Sequence, residues 1–302
     1  MSIAEVPVID MASSRGASRP GFVRALGEAL ETWGFAVVIN HEVPEDLVDR
    51  AYVAARRTFA LPLAEKLACE LPRIGRQRGY TSFGVERARD QPTADLKEFW
   101  HVGRDLPEDH PYCTQGLVPP NVFPPRVAEF GETSRALFSA LEGLALELLD
   151  AVGEHLGLPD GTFRDMVRDG NSVLRIIHYP DAVAEGAVRA AAHEDINLMT
   201  VLPAATRPGL ELLTRDGHWV PVQNPPGAMI CDTGDMMKLF TGGRMAATTH
   251  RVVNPGGADG GRLSMPFFLH PRPDAVLAMR GEEPVRAHDF LLERLKENGV
   301  LG

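Results

Sequence analysis

The sequence lacks any apolar run long enough to cross a membrane. Stretches such as Phe35–Ile39 and Ala228–Cys231 are far shorter than the roughly 20 residues that a transmembrane helix needs. Residues 1–5 do not show the basic segment followed by an apolar core that marks a secretory signal. We therefore expect no membrane partner and a cytoplasmic location.

Cysteine and clustered positive charge are also scarce. The three cysteines, Cys69, Cys113 and Cys231, are widely separated, which argues against a disulfide framework or a CxxC zinc motif and favours a reducing compartment. The formal net charge is −10, and no cluster of Lys and Arg is longer than the short stretch at residues 73–78. A polyanion would meet net repulsion, so we expect no nucleic-acid partner.

The periodicity of apolar residues predicts helices in the first half of the chain. With 44% apolar and 24% charged residues, the composition is that of a globular protein. Apolar residues at spacings of three and four predict helices over 22–33 and 47–59, with a buried strand at 35–39 between them. A long helix is predicted over 125–157, because proline stands near its start and glycine after its end.

The pattern changes after residue 170. Short runs rich in Val, Ile, Leu and Met alternate with turn residues, which is typical of an all-β jelly roll or barrel. Because the chain shows no repeat and no low-complexity linker, we expect a single domain over 1–302. Its expected parts are a mixed helical and loop region at 1–124, the long helix at 125–157, a β core at 171–272 and a C-terminal tail with a helix at 273–302.

His193, Asp195 and His250 are candidate metal ligands. If the apolar run Ile196–Leu202 is a strand that His193 and Asp195 open, their side chains, two positions apart, project from one face. His250, from a distant strand, would complete two imidazoles and one carboxylate on one side of a metal, a set that suits Fe(II) oxygenases. Zinc in a hydrolase is the alternative at this point. Glu194 should point away from its two neighbours.

Arg262 and Ser264 form a candidate carboxylate receptor. Two positions apart on a strand, they face the same side, and a guanidinium group can bind a carboxylate through two hydrogen bonds at any working pH. A zinc hydrolase has no general need of such a receptor, whereas a dioxygenase that uses a 2-oxo acid does. The pair therefore favours oxygen chemistry.

Several segments spread over nearly the whole chain carry a family resemblance. They are Val6-Pro7-Val8-Ile9-Asp10, Trp33-Gly34-Phe35 through Asn40-His41, Leu61-Pro62 with Lys66, Asp95-Leu96-Lys97-Glu98, His178-Tyr179-Pro180, the His-x-Asp pair with the distant histidine, and Arg262-x-Ser264. Together they resemble the isopenicillin N synthase-like family of iron-dependent oxygenases, most of which use 2-oxoglutarate (2OG).

The resemblance implies a double-stranded β-helix, or jelly roll, flanked by N-terminal helices and one long central helix. It implies Fe(II) at His193, Asp195 and His250 and the far carboxylate of 2OG at Arg262 and Ser264, with one position left for dioxygen. The implied enzyme is a 2OG-dependent dioxygenase. It would oxidise, most often hydroxylate, an unactivated C–H bond of a small molecule and release succinate and CO2.

Two further residues are expected at the 2OG site. Tyr179 matches the tyrosine before proline that often hydrogen-bonds the same carboxylate in this family. Arg175 shares the strand face of residues 177 and 179, so it either lines the pocket or forms an outward ion pair. Ile177 stands where many plant members have asparagine. An isoleucine side chain offers no hydrogen bond, so the sequence does not account for one hydrogen bond that those members make to the co-substrate.

Two alternative functions stay open. The first is an iron oxidase of the isopenicillin N synthase type, which uses no 2-oxo acid and cyclises or desaturates its substrate. That enzyme shares Arg-x-Ser, but residues 297–302 lack the glutamine found near its C-terminus, so 2OG is favoured. The second is a β-barrel binding protein without catalysis, which the intact triad disfavours.

Six residues are candidates for contact with the substrate. Asn197 shares the expected face of His193 and Asp195, which would bring it to the substrate. A role in stabilising a turn is an equally weighted alternative. The others lie in the loop-rich segment before residue 125, where specificity residues are common. They are Arg78, Tyr80, Phe83, Trp100 and His101, of which we expect one or two to touch the substrate and the rest to serve packing or surface charge.

Overall fold

The computed structural model describes residues 5–85, 96–180, 188–223, 225–254, 261–281 and 283–297. Asp95 of the motif at 95–98 and residues 298–302 of the C-terminal stretch lie outside these ranges. The helices are α1 (Arg19–Thr32), α2 (Glu45–Phe59), α3 (Leu63–Leu67), α4 (Pro111–Thr114), α5 (Ala128–Leu156), α6 (Thr162–Val167), α7 (Asp235–Phe240) and α8 (Ala287–Glu297).

Fifteen strands accompany these helices in the described ranges. They are β1 (Val8–Asp10), β2 (Phe35–Ile39), β3 (Gly79–Thr81), β4 (Glu98–Gly103), β5 (Val173–Tyr179), β6 (Val188–His193), β7 (Met199–Pro203), β8 (Leu210–Leu213), β9 (Trp219–Pro221), β10 (Met229–Thr233), β11 (His250–Val253), β12 (Arg262–Ser264), β13 (Phe267–Leu269), β14 (Val276–Arg280) and β15 (Glu283–Arg286).

Two sheets form the core of the fold. The larger runs in the order β1-β2-β10-β7-β13-β5-β4-β3, with β12 also paired to β5, and the smaller runs β6-β11-β8-β9. Their inner faces enclose an apolar cluster that includes Phe35, Phe99, Ile177, Leu212 and Ile230. This is the double-stranded β-helix that the resemblance predicted, and the prediction is confirmed.

Strand alternation sorts side chains between the barrel interior and the helical layer. On β5, Leu174 and Ile176 belong to the cluster packed under the helices, whereas Ile177 and Tyr179 belong to the interior cluster. Successive side chains of a strand point to opposite faces, so one strand serves both cores. The odd-numbered residues of β5 therefore face the inside of the barrel.

The long helix α5 covers the outer face of the large sheet. Its buried leucines, 137, 141, 144 and 148, recur at spacings of three and four and form one apolar stripe. The helix ends at Gly157, whose φ of 71° is a left-handed conformation that glycine adopts without strain. The observed helix begins three residues after the predicted start of the segment and closely matches its end.

The structure also contains elements that the sequence pattern did not predict. Helix α7 interrupts the region read as all-β, and the hairpin β14–β15 precedes the C-terminal helix α8. The large sheet draws β1 to β4 from the N-terminal region, so it is not confined to residues 171–272. In the ranges that the structure describes, no helix has both the length and the apolar character needed to cross a membrane.

Candidate metal centre and cavity

Two of the candidate ligands lie opposite each other on neighbouring strands. His193 is the last residue of β6, His250 is the first residue of β11, and the two form a direct antiparallel pair in the small sheet. Residues directly opposite in such a pair project from the same face. The ring centroids are accordingly 4.4 Å apart.

Asp195 reaches the same place from a loop, so the condition that residues 193–202 form one strand is not met. The chain leaves β6 at His193 and enters β7 only at Met199. The turn between them is held by backbone hydrogen bonds from Asp235 N to Asp195 O (2.7 Å) and from Met236 N to Ile196 O (3.1 Å). The start of α7, rather than strand alternation, orients the carboxylate.

Hydrogen bonds leave one ligand atom of each residue facing the others. His193 Nδ1 lies 2.8 Å from Ala191 O, and His250 Nδ1 lies 3.1 Å from Thr248 O. A carbonyl oxygen only accepts, so each Nδ1 carries the proton and each Nε2 presents a lone pair. Both Nε2 atoms lie 3.8 Å from Asp195 Oδ1.

The donor set fits a single divalent ion. One ligand atom from each of the three residues lies within 4.8 Å of the others. Two neutral imidazoles and one carboxylate on the same side of a metal leave positions free, as in non-haem iron oxygenases. Burial first, and the nearby His250 second, lower the pKa of His193 to about 4, which keeps the imidazole in its metal-binding form at neutral pH.

Buried polar residues hold the Asp195 carboxylate in place. Thr200 Oγ1 donates a short hydrogen bond to Asp195 Oδ2 and accepts one of 2.9 Å from Asn197 Nδ2. Asp232 lies beside them, and burial followed by the Asp195 charge raises its pKa well above the usual range. Such supporting hydrogen bonds fix the orientation of metal-binding groups.

The candidate carboxylate receptor lies inside the barrel. On β12, Arg262 pairs with Tyr179 and Ser264 with Ile177, and residues 177 and 179 face the interior. Arg262 is only 2% exposed; its Nε donates to Arg207 O at 3.1 Å, and its Nη1 is buried without a hydrogen-bond partner. A buried guanidinium nitrogen that is not satisfied by protein fits an anionic ligand.

A cavity of about 900 Å³ opens beside the metal site. His193, Asp195 and Asn197 line it, as do Arg175 and His101. Arg175 thus lines the pocket, the first of the two positions considered for it. Strands β4 and β5 place both residues here, because His101 lies opposite Arg175 in the sheet register.

Other substrate candidates lie away from this cavity. Tyr80 and Trp100, paired across β3 and β4, belong to the cluster under the helices. Tyr80 donates to Glu98 at 2.5 Å, and Trp100 Nε1 donates to Val122 O at 2.9 Å. Phe83 is 44% exposed and has its ring 6.4 Å from that of His178. Arg78 is completely buried behind the cavity wall.

Family models match most of the chain. Residues 6–126 match the N-terminal domain described as non-haem dioxygenase in morphine synthesis, and residues 170–271 match the 2OG-Fe(II) oxygenase superfamily. The 2-oxoglutarate-Fe(II) type oxidoreductase hxnY of Emericella nidulans is 31% identical over 283 residues, which cover 89% of this chain and 80% of that protein.

The chain belongs to the 2OG-Fe(II) oxygenase superfamily.

Solved structures agree with this assignment. A 2OG-Fe(II) oxygenase family protein from Caulobacter crescentus superposes with a TM-score of 0.88 at 36% identity, covering 98% of this chain and 100% of that one. A full-length Neurospora crassa protein in complex with alpha-KG, 24% identical, has the same fold with a TM-score of 0.83 over 96% and 95% of the two chains.

Membership confirms the predicted chemistry in outline. This 2OG-Fe(II) oxygenase is an oxidoreductase that uses Fe(II), 2OG and dioxygen. The two alternative functions, an oxidase without a 2-oxo acid and a non-catalytic barrel, find no support in these relatives.

Sequence reasoning missed several residues of the oxygenase site. Glu194, which was expected to point away, lines the cavity, as does Asp235. Gly234 allows the close approach of the Asp195 loop, since a Cβ there would lie 2.6 Å from Asp195 O. Helix α8 supplies much of one wall. The Gly-Asp pair at 234–235 is visible in the sequence, but its contact with the loop that carries Asp195 joins segments that are distant in the chain.

Proposed function

We propose that this oxygenase hydroxylates an unactivated C–H bond of a small molecule at the cavity beside His193, Asp195 and His250. The overall reaction consumes the substrate, 2OG and dioxygen and yields the hydroxylated product, succinate and CO2. Bound Fe(II) supplies the activation of dioxygen that this oxidation requires. The observation that carries the proposal is that His193 Nε2 and His250 Nε2 both lie 3.8 Å from Asp195 Oδ1, and that His193 and Asp195 line the cavity.

The protein residues divide the remaining work. His193, His250 and Asp195 hold the metal, and the Thr200 hydroxyl keeps Asp195 Oδ1 turned toward it. Arg262 and Ser264 bind the far carboxylate of 2OG inside the barrel, and the Tyr179 ring, whose centroid lies 5.2 Å from Arg262 Cζ, forms the adjacent wall. The apolar interior around them excludes water from the co-substrate.

The proposal also covers partners and location. The substrate is a small molecule, since the cavity volume of about 900 Å³ falls in the range of small-molecule sites. The net charge of −10 disfavours nucleic acid, and the absence of a long apolar run disfavours a membrane. The cytoplasmic location remains a prediction from sequence.

Succinate release tests the metal assignment. Purified enzyme is loaded with Fe(II) without oxygen and then given 2OG and air. We expect succinate from the native chain and none from His193→Ala or His250→Ala. His218→Ala is the matched control, because that side chain is 77% exposed. Full succinate formation by His193→Ala would remove that residue from the ligand set.

The 2OG assignment has a separate test. Arg262→Gln should raise the KM for 2OG about 10- to 100-fold, because a two-point charged hydrogen bond is lost. Fe(II) affinity should stay unchanged in this variant. An unchanged KM for 2OG would place the co-substrate carboxylate elsewhere.

A further inference from the structure

His270 presents a hydrogen-bond acceptor to the cavity. Its side chain lines the cavity, and its Nδ1 lies 3.2 Å from Phe268 O. Because a carbonyl oxygen only accepts, Nδ1 carries the proton and Nε2 has the lone pair. Within the described part of the chain, no group donates a hydrogen bond to Nε2. This nitrogen lies on the side of the ring away from the backbone, so it is the polar atom that His270 offers to a ligand.

The imidazole of His270 is uncharged at neutral pH. Burial has the largest effect on the pKa of His270 and lowers it to about 4. The hydrogen bond to Phe268 O and the charge of Asp195 act in the opposite direction without restoring the ordinary value. A neutral ring with a free lone pair accepts a hydrogen bond from an uncharged donor.

Backbone contacts fix the position of this acceptor beside the metal site. His270 directly follows β13, and the last residue of that strand, Leu269, accepts a hydrogen bond of 3.1 Å from Leu198 N. Leu198 belongs to the loop that carries Asp195. On the other side, His270 N donates to Ser172 Oγ at 3.2 Å. An acceptor that is already held in place loses little freedom when a ligand binds.

This end of the cavity is distinct from the candidate receptor for 2OG. Phe268 is the register partner of Val173 on β5, whereas Arg262 is the partner of Tyr179 on the same strand. Six residues of an extended strand span roughly 20 Å. Phe268 and His270 are two positions apart and both line the cavity. The five-carbon 2OG, with its far carboxylate at Arg262, is too short to reach His270.

Two side-chain amides continue the polar wall. Arg78 Nη2, which can only donate, bonds to Asn171 Oδ1 at 2.6 Å, so the Asn171 amide nitrogen points toward Gln77 and donates to its Oε1 at 3.2 Å. Asn171 and Gln77 both line the cavity. Asn171 also precedes Ser172, the residue that bonds His270 N. The Gln77 amide nitrogen therefore offers donors at the end where His270 offers an acceptor.

Helices α7 and α8 supply an apolar wall to the same cavity. The apolar side chains on this wall are Leu239, Phe290, Leu291 and Leu295. The charges that accompany them are paired, since Arg294 Nε lies 3.4 Å from Asp235 Oδ2. A ligand that complements both walls has a polar group with a hydrogen-bond donor at one end and an apolar body.

We propose that the primary substrate carries an uncharged hydrogen-bond donor, a hydroxyl or an amide N–H group, which bonds to His270 Nε2. The apolar body of the substrate lies against α8. His270 is thus a specificity-determining residue. The inference rests on the proposed function for the identity of the ligand as substrate.

Matched donors and methylated analogues test the proposal. One pair is 4-phenylbutan-1-ol and its methyl ether, and the other is 4-phenylbutanamide and its N,N-dimethyl derivative. Dissociation constants are measured by calorimetry on the oxygen-free enzyme loaded with Fe(II) and saturating 2OG. We expect at least one donor to bind about three- to tenfold more tightly than its analogue, because only the donor can bond to Nε2. The two pairs distinguish a hydroxyl from an N–H group. Equal binding within both pairs, or no binding by any probe, would overturn the proposal.

Variants of His270 separate the hydrogen bond from the bulk of the added methyl groups. His270→Phe keeps a ring and removes the acceptor, so the preference for the donor should fall below about twofold. His270→Gln places an amide oxygen near the position of Nε2 and should retain part of the preference. His41→Phe is the matched control, because the ring nitrogens of His41 are also buried but do not line the cavity.

A purely structural role of His270 gives a different result. It would weaken both members of each pair alike in His270→Phe and leave their ratio at the native value. That outcome would remove His270 from the proposal, as would an equal loss of preference in His41→Phe.

Failure of the proposed function is read independently. Succinate release from 2OG without any probe does not depend on a donor at His270. If the native enzyme forms no succinate while donors still bind selectively through His270, the proposed function fails and the donor site stands. If succinate forms and neither donor is preferred, the inference about His270 fails alone.

Discussion

Thr200 offers a sensitive test of how the metal centre is supported. The side chain is 2% exposed, and its hydroxyl donates to Asp195 Oδ2 while accepting from Asn197 Nδ2. Thr200→Val keeps the shape of the side chain and removes both interactions. We expect the variant to fold and to bind Fe(II) more weakly, because the carboxylate loses the bond that fixes its orientation.

The expected loss of Fe(II) affinity in Thr200→Val follows from two independent estimates. A hydrogen bond to a charged group contributes about 1.5–3 kcal/mol net. Loss of a partner behind a metal ligand lowers metal affinity about 10- to 100-fold, which corresponds to about 1.4–2.8 kcal/mol. The agreement predicts a Kd for Fe(II) between one and two orders of magnitude higher than in the native enzyme.

Oxygen-free metal titration followed by calorimetry measures this effect, and thermal unfolding checks that the variant is folded. Thr58→Val is the matched control, since Thr58 is also fully buried, its hydroxyl has no partner, and it lies on α2. The control should bind Fe(II) like the native chain. A folded Thr200→Val enzyme with native Fe(II) affinity would refute the idea that this hydroxyl supports Asp195.

Three further predictions concern packing and charge. Gly234→Ala should weaken Fe(II) binding and lower the free energy of unfolding by about 1–3 kcal/mol, because the new Cβ would lie 2.6 Å from Asp195 O; native metal affinity in titration would contradict this. Lys66→Met should lower the free energy of unfolding, measured in urea, by about 3–5 kcal/mol. The reason is that Glu98 is only 2% exposed and would lose the buried ammonium group of Lys66, which lies 2.7 Å away. A change below about 1 kcal/mol would argue against a stabilising role of this pair. In the folded protein the pKa of His270 is lowered from its ordinary value of 6.5 to about 4. As the pH drops, the unfolded chain therefore takes up this proton before the folded protein does. The free energy of unfolding should fall between about pH 6.5 and pH 4. His270→Gln should flatten this part of the pH profile of urea unfolding, and identical profiles would contradict the assignment.

Local pattern was sufficient to predict the main elements of the fold. The stripe of leucines in α5 and the flanking Gly157 define that helix within the chain, since helix periodicity and C-terminal glycine act over a few residues. Strand β2 was predicted at its observed bounds for the same reason. Helix α7 was missed because its six residues are too short to show a period.

Which face of a strand meets the cavity could not be read from one segment. Tyr80, Trp100 and His101 are close in sequence or register, yet only His101 lines the cavity. Alternation separates neighbouring residues, but the side that becomes the barrel interior is decided by the partner strands and by where α5 packs. The substrate candidates were therefore the least predictable group.

The sequence by itself determined the residue types of the site: two histidines and an aspartate at the spacing of a metal centre, and an arginine and serine two apart on a strand. Metal-ligand preference and charge are properties of the side chain itself, so they can be predicted from the residue type without the structure. The tertiary structure alone decided that Asp195 is oriented from a loop packed on Gly234, that Arg175 faces the cavity, and that α8 forms its opposite wall. These are contacts between segments distant in the chain, and no local pattern encodes the side on which they meet.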